Sequence, residues 1–259
     1  MEIPIYQVDA FTGVVFCGNP AAVCPLEEWL PDETLQGIAS ENNLSETAYF
    51  VPTGDRFALR WFTPGCEVDL CGHATLASAY VLFRELGVAG DTVRFDTKSG
   101  ELVVRRDGER FVMDFPSRPP GPVEADPNLR PAMGGEPIEI LAARDYVLTY
   151  KSEAEVRALA PNMEALARID RFAFIATARG EDCDFVSRFF APAKGVPEDP
   201  VTGSAHCTLT PYWAAKLGKT TLKARQISKR GGELFCRLAG DRVEMAGSAT
   251  LFLRGRIIL

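Results

Sequence analysis

Glu46 is the first residue whose type and position could do chemistry. It lies in the segment NNLSETAYF at 42–50, where a predicted helix ends and a predicted strand begins. Read by itself, this short polar stretch is typical of a solvated turn. A carboxyl group inside a closed cleft, however, can take a proton from a substrate and return it, as a general acid and base does. Glu46 is therefore a candidate catalytic residue if the fold places it in such a cleft.

His73 and Asp199 are two further candidates. His73 is one of only two histidines and follows Gly72 at a predicted helix start, where the helix dipole would lower its pKa and favour a neutral imidazole. A lone histidine is more often a structural group, but this position favours a functional one. Asp199 precedes Pro200 and could orient a substrate amine or hydroxyl; a helix cap or an Asx-turn is the alternative.

Two glycines, Gly72 and Gly203, open predicted apolar helices. The first N–H groups of a helix have no partner within it and lie at the positive end of its dipole, so they can hold a carboxylate or a developing enolate. One glycine alone would be read as a tight turn. Because the two glycines occupy corresponding positions in a repeated sequence pattern, we expect the two helix starts to face a shared cleft. We expect this cleft to bind a small anionic substrate.

The chain repeats its pattern at an offset of about 130 residues. Each half contains a strand, a loop with proline, a glycine, an apolar helix and then more strands. The matching parts are Arg60-Trp61-Phe62-Thr63-Pro64 with Arg188-Phe189-Phe190-Ala191-Pro192, Gly72-His73-Ala74 with Gly203-Ser204-Ala205, Leu86-Gly87 with Leu217-Gly218, and Gly100-Glu101-Leu102 with Gly232-Glu233-Leu234.

These patterns predict an α+β fold of two pseudo-repeated halves, at 1–117 and 118–259. In each half, a curved, mostly antiparallel, barrel-like sheet would wrap around one central helix, because both helices are apolar on all sides. Pro211 predicts a kink or a late start in the second helix. The Pro- and Gly-rich stretch 116–137 is interpreted as a linker.

Two amphipathic surface helices complete the prediction. One covers 31–42, with Leu35, Ile38 and Ala39 directed inward. The other covers 152–160, with Val156, Leu159 and Ala160 directed inward.

Composition indicates a soluble globular protein that binds no nucleic acid. The chain is 46% hydrophobic and 24% charged, and its net charge of −7 offers no basic surface for phosphate backbones. No apolar run approaches the roughly 20 residues that span a bilayer, so we expect no membrane partner and a cytoplasmic location. Seven cysteines, an odd number, favour free thiols in a reducing compartment.

Several motifs together resemble the PhzF-like isomerases of phenazine biosynthesis. They cover nearly the whole chain: QVDAFT, GNPAAV, NLSETAYF, RWFTPGCEVDLCGHATLASAYVL and EDPVTGSAHCTLTPYW. The resemblance implies a diaminopimelate epimerase-like fold, a homodimer and no cofactor. It also implies a cleft between the halves in which a proton moves from one carbon of a small carboxylate-bearing substrate to another.

The resemblance further implies a role for each site residue. Glu46 matches the catalytic acid and base, and His73 and Asp199 match residues that hold the substrate. The substrate-binding set implied or suggested by position is Asn19, Ser45, Cys71, Gly72, Thr202, Gly203 and Ser204.

A thiol-dependent epimerase, racemase or dehydratase is the main alternative. Cys71 precedes Gly72, where the dipole would lower the pKa of a thiol base. Its partner in the repeat is Thr202, which is a poor base. Two-thiol stereoinversion is therefore disfavoured, while elimination of water by a Cys/Thr pair stays open.

Three other classes are weaker. Cys66, Cys71, His73, His206 and Cys207 are zinc-ligand types, but their spacing lacks a C-x-x-C pair, so we expect no metal. A serine hydrolase at 202–206 would lack the second glycine of a nucleophile elbow. A non-catalytic binding protein on the same scaffold stays open, since a fold does not fix a function.

Overall fold

The computed structural model describes residues 1–259 and divides them into two units. Unit 1 is Met1–Asp114 with Ala246–Leu259, and unit 2 is Phe115–Met245. The chain leaves unit 1 close to the boundary predicted at 117/118. The last residues return to unit 1, whereas the predicted division assigned them to the second half. The reason is a strand pairing, described below, that no local sequence pattern predicts.

Unit 1 holds one sheet and two helices. Its strands are β1 (Glu2–Ala10), β2 (Asn19–Pro25), β3 (Glu46–Thr53), β4 (Arg56–Phe62), β5 (Glu67–Val68), β6 (Thr92–Thr97), β7 (Gly100–Asp107) and β18 (Ala249–Ile258); its helices are α1 (Asp32–Asn42) and α2 (Gly72–Tyr80), with a π-helical turn at Val81–Glu85. The strand β18 pairs antiparallel with β1 from Glu2↔Ile258 to Ala10↔Ala249. This pairing is what returns the C-terminus to unit 1.

Unit 2 repeats the arrangement. Its strands are β9 (Gly121–Pro122), β10 (Glu139–Ala142), β11 (Tyr146–Thr149), β12 (Phe174–Arg179), β13 (Phe185–Ala191), β14 (Val196–Asp199), β15 (Thr221–Gln226) and β16 (Gly232–Ala239); its helices are α3 (Leu129–Met133), α4 (Glu153–Ala158), α5 (Met163–Ala167) and α6 (Gly203–Leu217), with a 3-10 turn at Pro192–Lys194. The strands β8 (Arg110–Pro116) and β17 (Arg242–Gly247) carry the chain from one unit to the other.

The pairing pattern confirms the internal repeat. In unit 1, β2 and β3 are parallel, β3 and β4 antiparallel, β4 and β6 parallel, and β6 and β7 antiparallel. In unit 2, β11, β12, β13, β15 and β16 follow the same alternation in the same order. Both sheets are therefore mixed, with one parallel pair on each side of the central antiparallel pair.

Each sheet surrounds one apolar helix, as predicted. The helix α2 contacts the four neighbouring strands β18, β1, β2 and β3 and also β7 farther along the sheet, and residues 73–79 are buried. In unit 2, α6 contacts β15 and β16, while Tyr212 and Trp213 hydrogen-bond to Thr149 and Thr177 on β11 and β12. The fold class is thus α+β with a wrapped helix in each unit.

Pro211 lies inside α6, which begins at Gly203 and not late. Proline has no N–H, so it cannot bond the carbonyl of Cys207 one turn earlier. The backbone N–H of Arg118 donates to that carbonyl at 2.9 Å. The helix therefore continues through proline with its buried carbonyl satisfied.

The surface helices agree with the prediction except at one end. In α1, Leu35, Ile38 and Ala39 are buried as predicted. The helix α4 ends at Ala158, and Ala160 is exposed, which contradicts its predicted inward direction because the chain has left the helix by then. The predicted linker 116–137 contains α3, whose Leu129 and Met133 belong to the core of unit 2. No helix is both long and apolar enough to cross a membrane.

Candidate active site

Glu46 and His73 meet in unit 1. Glu46 is the first residue of β3 and His73 the second residue of α2. The His73 Nε2 atom lies 3.1 Å from Oε2 of Glu46, but their alignment is not that of a hydrogen bond, and neither buried atom has another partner. Buried polar atoms without a partner are uncommon and point to a ligand or to catalysis. The pair thus places a carboxyl group beside an imidazole that is 7% exposed.

Three other predicted residues lie on the far side of the imidazole. The His73 Nδ1 atom is 3.5 Å from the Cys71 Sγ atom and 3.3 Å from the Asn19 Nδ2 atom. The Ser45 hydroxyl donates to Oδ1 of Asn19 at 3.4 Å. The structure therefore brings together five predicted site residues that the sequence scatters between 19 and 73.

Local structure explains how Glu46 reaches this place. The helix α1 ends at Asn42, and Asn43 takes a left-handed conformation with φ of 48°, which asparagine tolerates better than most residues. The turn reverses the chain into β3, which pairs parallel with β2 so that Glu46 faces Ala21. Because Asn19 begins β2, this register sets Asn19 and Glu46 at the same end of adjacent strands.

The start of α2 positions the other two side chains of this site, Cys71 and His73. Cys71 is the N-cap residue in extended conformation, and its carbonyl accepts a hydrogen bond of 2.5 Å from the Thr75 hydroxyl. The amides of Gly72 and His73 lie at the positive end of the helix. They are the N–H donors that we predicted from the sequence to bind an anionic group.

The pKa values of His73 and Cys71 both depart from their ordinary ranges. Burial acts to lower the pKa of His73, but Cys71 and the Glu46 carboxylate outweigh it and raise that pKa. The predicted lowering of this pKa is therefore wrong, because Cys71 and the Glu46 carboxylate favour the protonated imidazole. Burial raises the pKa of the Cys71 thiol, which also contradicts the lowering considered for a thiol base.

The corresponding loop of unit 2 is a closed polar network. Thr202 is the N-cap of α6, as Cys71 is of α2, and its hydroxyl donates to Oδ2 of Asp199. The Nδ1 atom of His206 lies 2.8 Å from the Thr202 carbonyl oxygen, and burial lowers the pKa of this histidine to about 4. Asp199 thus contacts the residue that begins the helix. Roles for Asp199, Thr202, Gly203 and Ser204 in holding substrate stay predictions, as does a cleft shared by the two helix starts.

Gln226 and Arg144 are two contributors that the sequence did not reveal. The fully buried Gln226 accepts from the Thr202 N–H at 2.9 Å and donates to the Asp199 carbonyl at 2.7 Å and to the Thr202 hydroxyl at 3.1 Å. The Arg144 guanidinium donates to the Ser204 hydroxyl at 3.1 Å. Neither residue lies in a motif, because each reaches the loop from a strand or turn distant along the chain.

The Glu46, Cys71 and His73 side chains in unit 1 are of types that bind metal ions. One ligand atom from each of Glu46, Cys71 and His73 lies within 4.8 Å of the others. Of the zinc-ligand candidates considered from the sequence, Cys66 is exposed and outside this group.

Comparison with known proteins identifies the family. The family described as phenazine biosynthesis-like protein matches residues 8–255. The chain belongs to the phenazine biosynthesis-like family. An uncharacterized isomerase of Pseudomonas aeruginosa is 53% identical over the whole of both chains. The crystal structure of a phenazine biosynthesis protein of the PhzF family from Enterococcus faecalis has 47% identity and a TM-score of 0.98, with all of both chains covered.

A more distant likeness concerns the fold alone. A probable proline racemase of Agrobacterium radiobacter, 12% identical, has a TM-score of 0.67 with 99% of this chain and 93% of that chain covered. The recognition from sequence motifs is confirmed, and so is the class of enzyme: this phenazine biosynthesis-like protein is an isomerase.

Proposed function

We propose that this isomerase moves a proton between two carbons of a small carboxylate-bearing substrate, with Glu46 as both general base and general acid. The observation that carries the proposal is the buried Oε2 atom of Glu46, which has no hydrogen-bond partner and lies 3.1 Å from Nε2 of His73. A catalytic base needs a free oxygen aimed at the substrate proton.

The reaction conserves atoms and electrons. Glu46 takes a proton from one carbon, and the electron pair of the broken C–H bond moves into the conjugated system as an enolate. The His73 side chain and the first amides of α2 stabilise this negative charge. The Glu46 carboxyl group, whose proton exchanges with solvent, then returns a proton to a second carbon. The steps call for no oxidant, reductant or cofactor.

Deuterium incorporation tests the role of Glu46. A panel of unsaturated carboxylic acids is incubated in D₂O, and exchange is followed by NMR. We expect Glu46→Gln to lower the exchange rate roughly 10²- to 10⁴-fold, the contribution of one positioned acid–base group. The exposed Glu41 is the matched control, and Glu41→Gln should exchange like the wild type. Unchanged exchange in Glu46→Gln would sink the proposal.

Thiol chemistry at Cys71 is the second candidate, because its Sγ atom contacts His73 at 3.5 Å. The raised pKa of Cys71 argues against it, since the thiolate is the reactive form. Exchange by Cys71→Ser separates the two mechanisms. Near-normal exchange favours the carboxyl mechanism, whereas loss in Cys71→Ser with retention in Glu46→Gln favours the thiol.

Asp199, Thr202, Gly203 and Ser204 are proposed to bind the substrate, and a homodimer is proposed from the family resemblance. Light scattering after size-exclusion chromatography tests the second proposal. A mass of one chain at working concentrations would contradict it.

A further inference from the structure

The side-chain amide of Gln226 reaches the polar loop ahead of α6 in unit 2. Gln226 is fully buried, and its three hydrogen bonds all go to Asp199 and Thr202. We propose that Gln226 is a positioning residue for the reaction. Its amide directs the Thr202 hydroxyl to the Asp199 carboxylate and so holds that carboxylate as a hydrogen-bond acceptor. The role in the reaction rests on the proposed binding of substrate by Asp199, whereas the hydrogen-bond directions do not.

Two backbone groups determine the orientation of the Gln226 amide. The Thr202 N–H can only donate, so the atom that faces it at 2.9 Å is the oxygen of Gln226. The Asp199 carbonyl can only accept, so the atom that faces it at 2.7 Å is the nitrogen of Gln226. A flipped amide would set donor against donor and acceptor against acceptor. The hydrogen-bond network therefore permits one orientation.

The orientation of the amide determines the direction of the Thr202 hydroxyl. The Gln226 nitrogen also donates to Oγ1 of Thr202, at 3.1 Å. An amide nitrogen cannot accept a hydrogen bond, so the hydroxyl must direct its single proton elsewhere. It donates to Oδ2 of Asp199. The Thr202 proton is thus used within the loop, which argues against Thr202 as a proton donor in the elimination by a Cys/Thr pair considered above.

The end of β15 presents the amide from a fixed backbone. Gln226 is the last residue of β15 and pairs with Ser187 on one side and Gly232 on the other. Two residues later, the Ser228 hydroxyl donates to the Pro200 carbonyl at 2.7 Å. The same strand end therefore holds the loop at several successive residues, and the amide has little freedom to move with the loop.

Unit 1 lacks this contact. The register of the parallel pair β4 and β6 sets Thr97 at the position that Gln226 occupies in unit 2. The Thr97 hydroxyl donates to the Gly100 carbonyl at 2.7 Å, inside its own hairpin, and the helix start at Cys71 receives no amide from this strand. The repeated fold thus forms without such an amide, which points to a role in the site of unit 2.

Neutron diffraction tests the hydrogen-bond directions without any substrate. Crystals of the whole chain grown in D₂O reveal the positions of the deuterium atoms. We expect the two deuterium atoms of the Gln226 amide to face the Asp199 carbonyl and the Thr202 hydroxyl, and the hydroxyl deuterium of Thr202 to face the Asp199 carboxylate. An amide in the opposite orientation, or a Thr202 deuterium directed away from Asp199, overturns the proposal.

Deuterium incorporation into the panel of unsaturated carboxylic acids tests the role in the reaction. Gln226→Glu keeps an acceptor for the Thr202 N–H but has no donor when ionised, so exchange at neutral pH should fall on the order of 10²-fold. The ratio of this rate to the wild-type rate should rise as the pH falls, because a protonated carboxyl group regains one donor. The control is Gln36→Glu on α1, whose ratio should stay near one at every pH.

A second pair of variants separates positioning from folding. Thr202→Ser keeps the hydroxyl and Thr202→Val removes it, so the serine variant should exchange roughly 10-fold faster or more. Circular dichroism checks that each variant is folded at the assay temperature. Wild-type exchange by folded Gln226→Glu, or equal exchange by the two Thr202 variants, overturns the role in the reaction. If no acid exchanges with the wild type, the proposed function fails, and neutron diffraction still decides the hydrogen-bond directions.

Discussion

At the scale of single residues, the histidine at the start of α2 organises the candidate site. One ring nitrogen faces the carboxyl group of Glu46, and the other faces Cys71 and Asn19. A single imidazole therefore connects an acid, a thiol and an amide. This arrangement explains why Cys71 and Glu46 raise the pKa of His73.

Gln226 makes three hydrogen bonds to the loop ahead of α6 in unit 2. Gln226→Ala removes three hydrogen bonds and takes the acceptor away from the buried N–H of Thr202. We expect the free energy of unfolding to fall by roughly 2–4 kcal/mol. Urea denaturation measures it.

Gln36 provides the comparison for Gln226. It donates one hydrogen bond of 2.9 Å, to the Thr63 carbonyl, and is partly exposed. Gln36→Ala should cost only about 1 kcal/mol. Equal losses of unfolding free energy in the two variants would show that Gln226 does not stabilise the loop that contains Asp199 and Thr202.

At the scale of elements, the two units use the same device to fix the loop ahead of the central helix. Arg60 on β4 donates two hydrogen bonds to Glu67 on β5, at 2.7 and 3.0 Å. Arg188 on β13 donates two to Glu198 on β14 at the same distances. The Arg60 guanidinium lowers the pKa of Glu67 to about 2. Both helix starts are thus held by a strand, an ion pair and a short return strand.

Gly18, in the connection from β1 to β2, should not accept a side chain. Its φ is 67°, and a Cβ atom would lie 2.2 Å from the Ala10 carbonyl oxygen. We expect Gly18→Ala to lower the melting temperature and to cost roughly 2–4 kcal/mol, because backbone strain and a backbone clash add.

The exposed Gly37 in α1 is the control for Gly18. A Cβ atom there meets nothing within 4 Å, and alanine favours a helix over glycine by up to about 1 kcal/mol. Gly37→Ala should therefore match or exceed the wild-type melting temperature. A Gly18→Ala protein as stable as the wild type would contradict the geometry of this turn.

At the scale of the whole molecule, the two histidines respond to pH in opposite directions. Burial lowers the pKa of His206 from 6.5 to about 4, so the folded chain keeps it neutral while the unfolded chain takes up a proton. Its contribution to stability is present above pH 6.5 and is lost as the pH falls toward about 4. The pKa of His73 is raised, so in this window His73 is protonated in both states and adds little slope.

Acidification should therefore weaken the fold through His206. The loss between pH 6.5 and about 4 should reach roughly 3 kcal/mol. His206→Gln keeps a donor toward the Thr202 carbonyl and lacks the titrating ring, so its unfolding free energy should vary less over this range. A pH dependence equal to that of the wild type would contradict this assignment.

The sequence by itself determined the repeat, the elements around each central helix and the candidate residues. It could do so because these features are local: a glycine after an N-cap, an all-apolar helix, and alternating strands. Only the tertiary structure decided that β18 returns to β1, that Gln226 closes the loop of Thr202, and that Cys71 and Glu46 raise the pKa of His73. Each of these depends on distances between groups far apart in the chain or on opposite sides of one ring, and such distances exist only once the chain has folded.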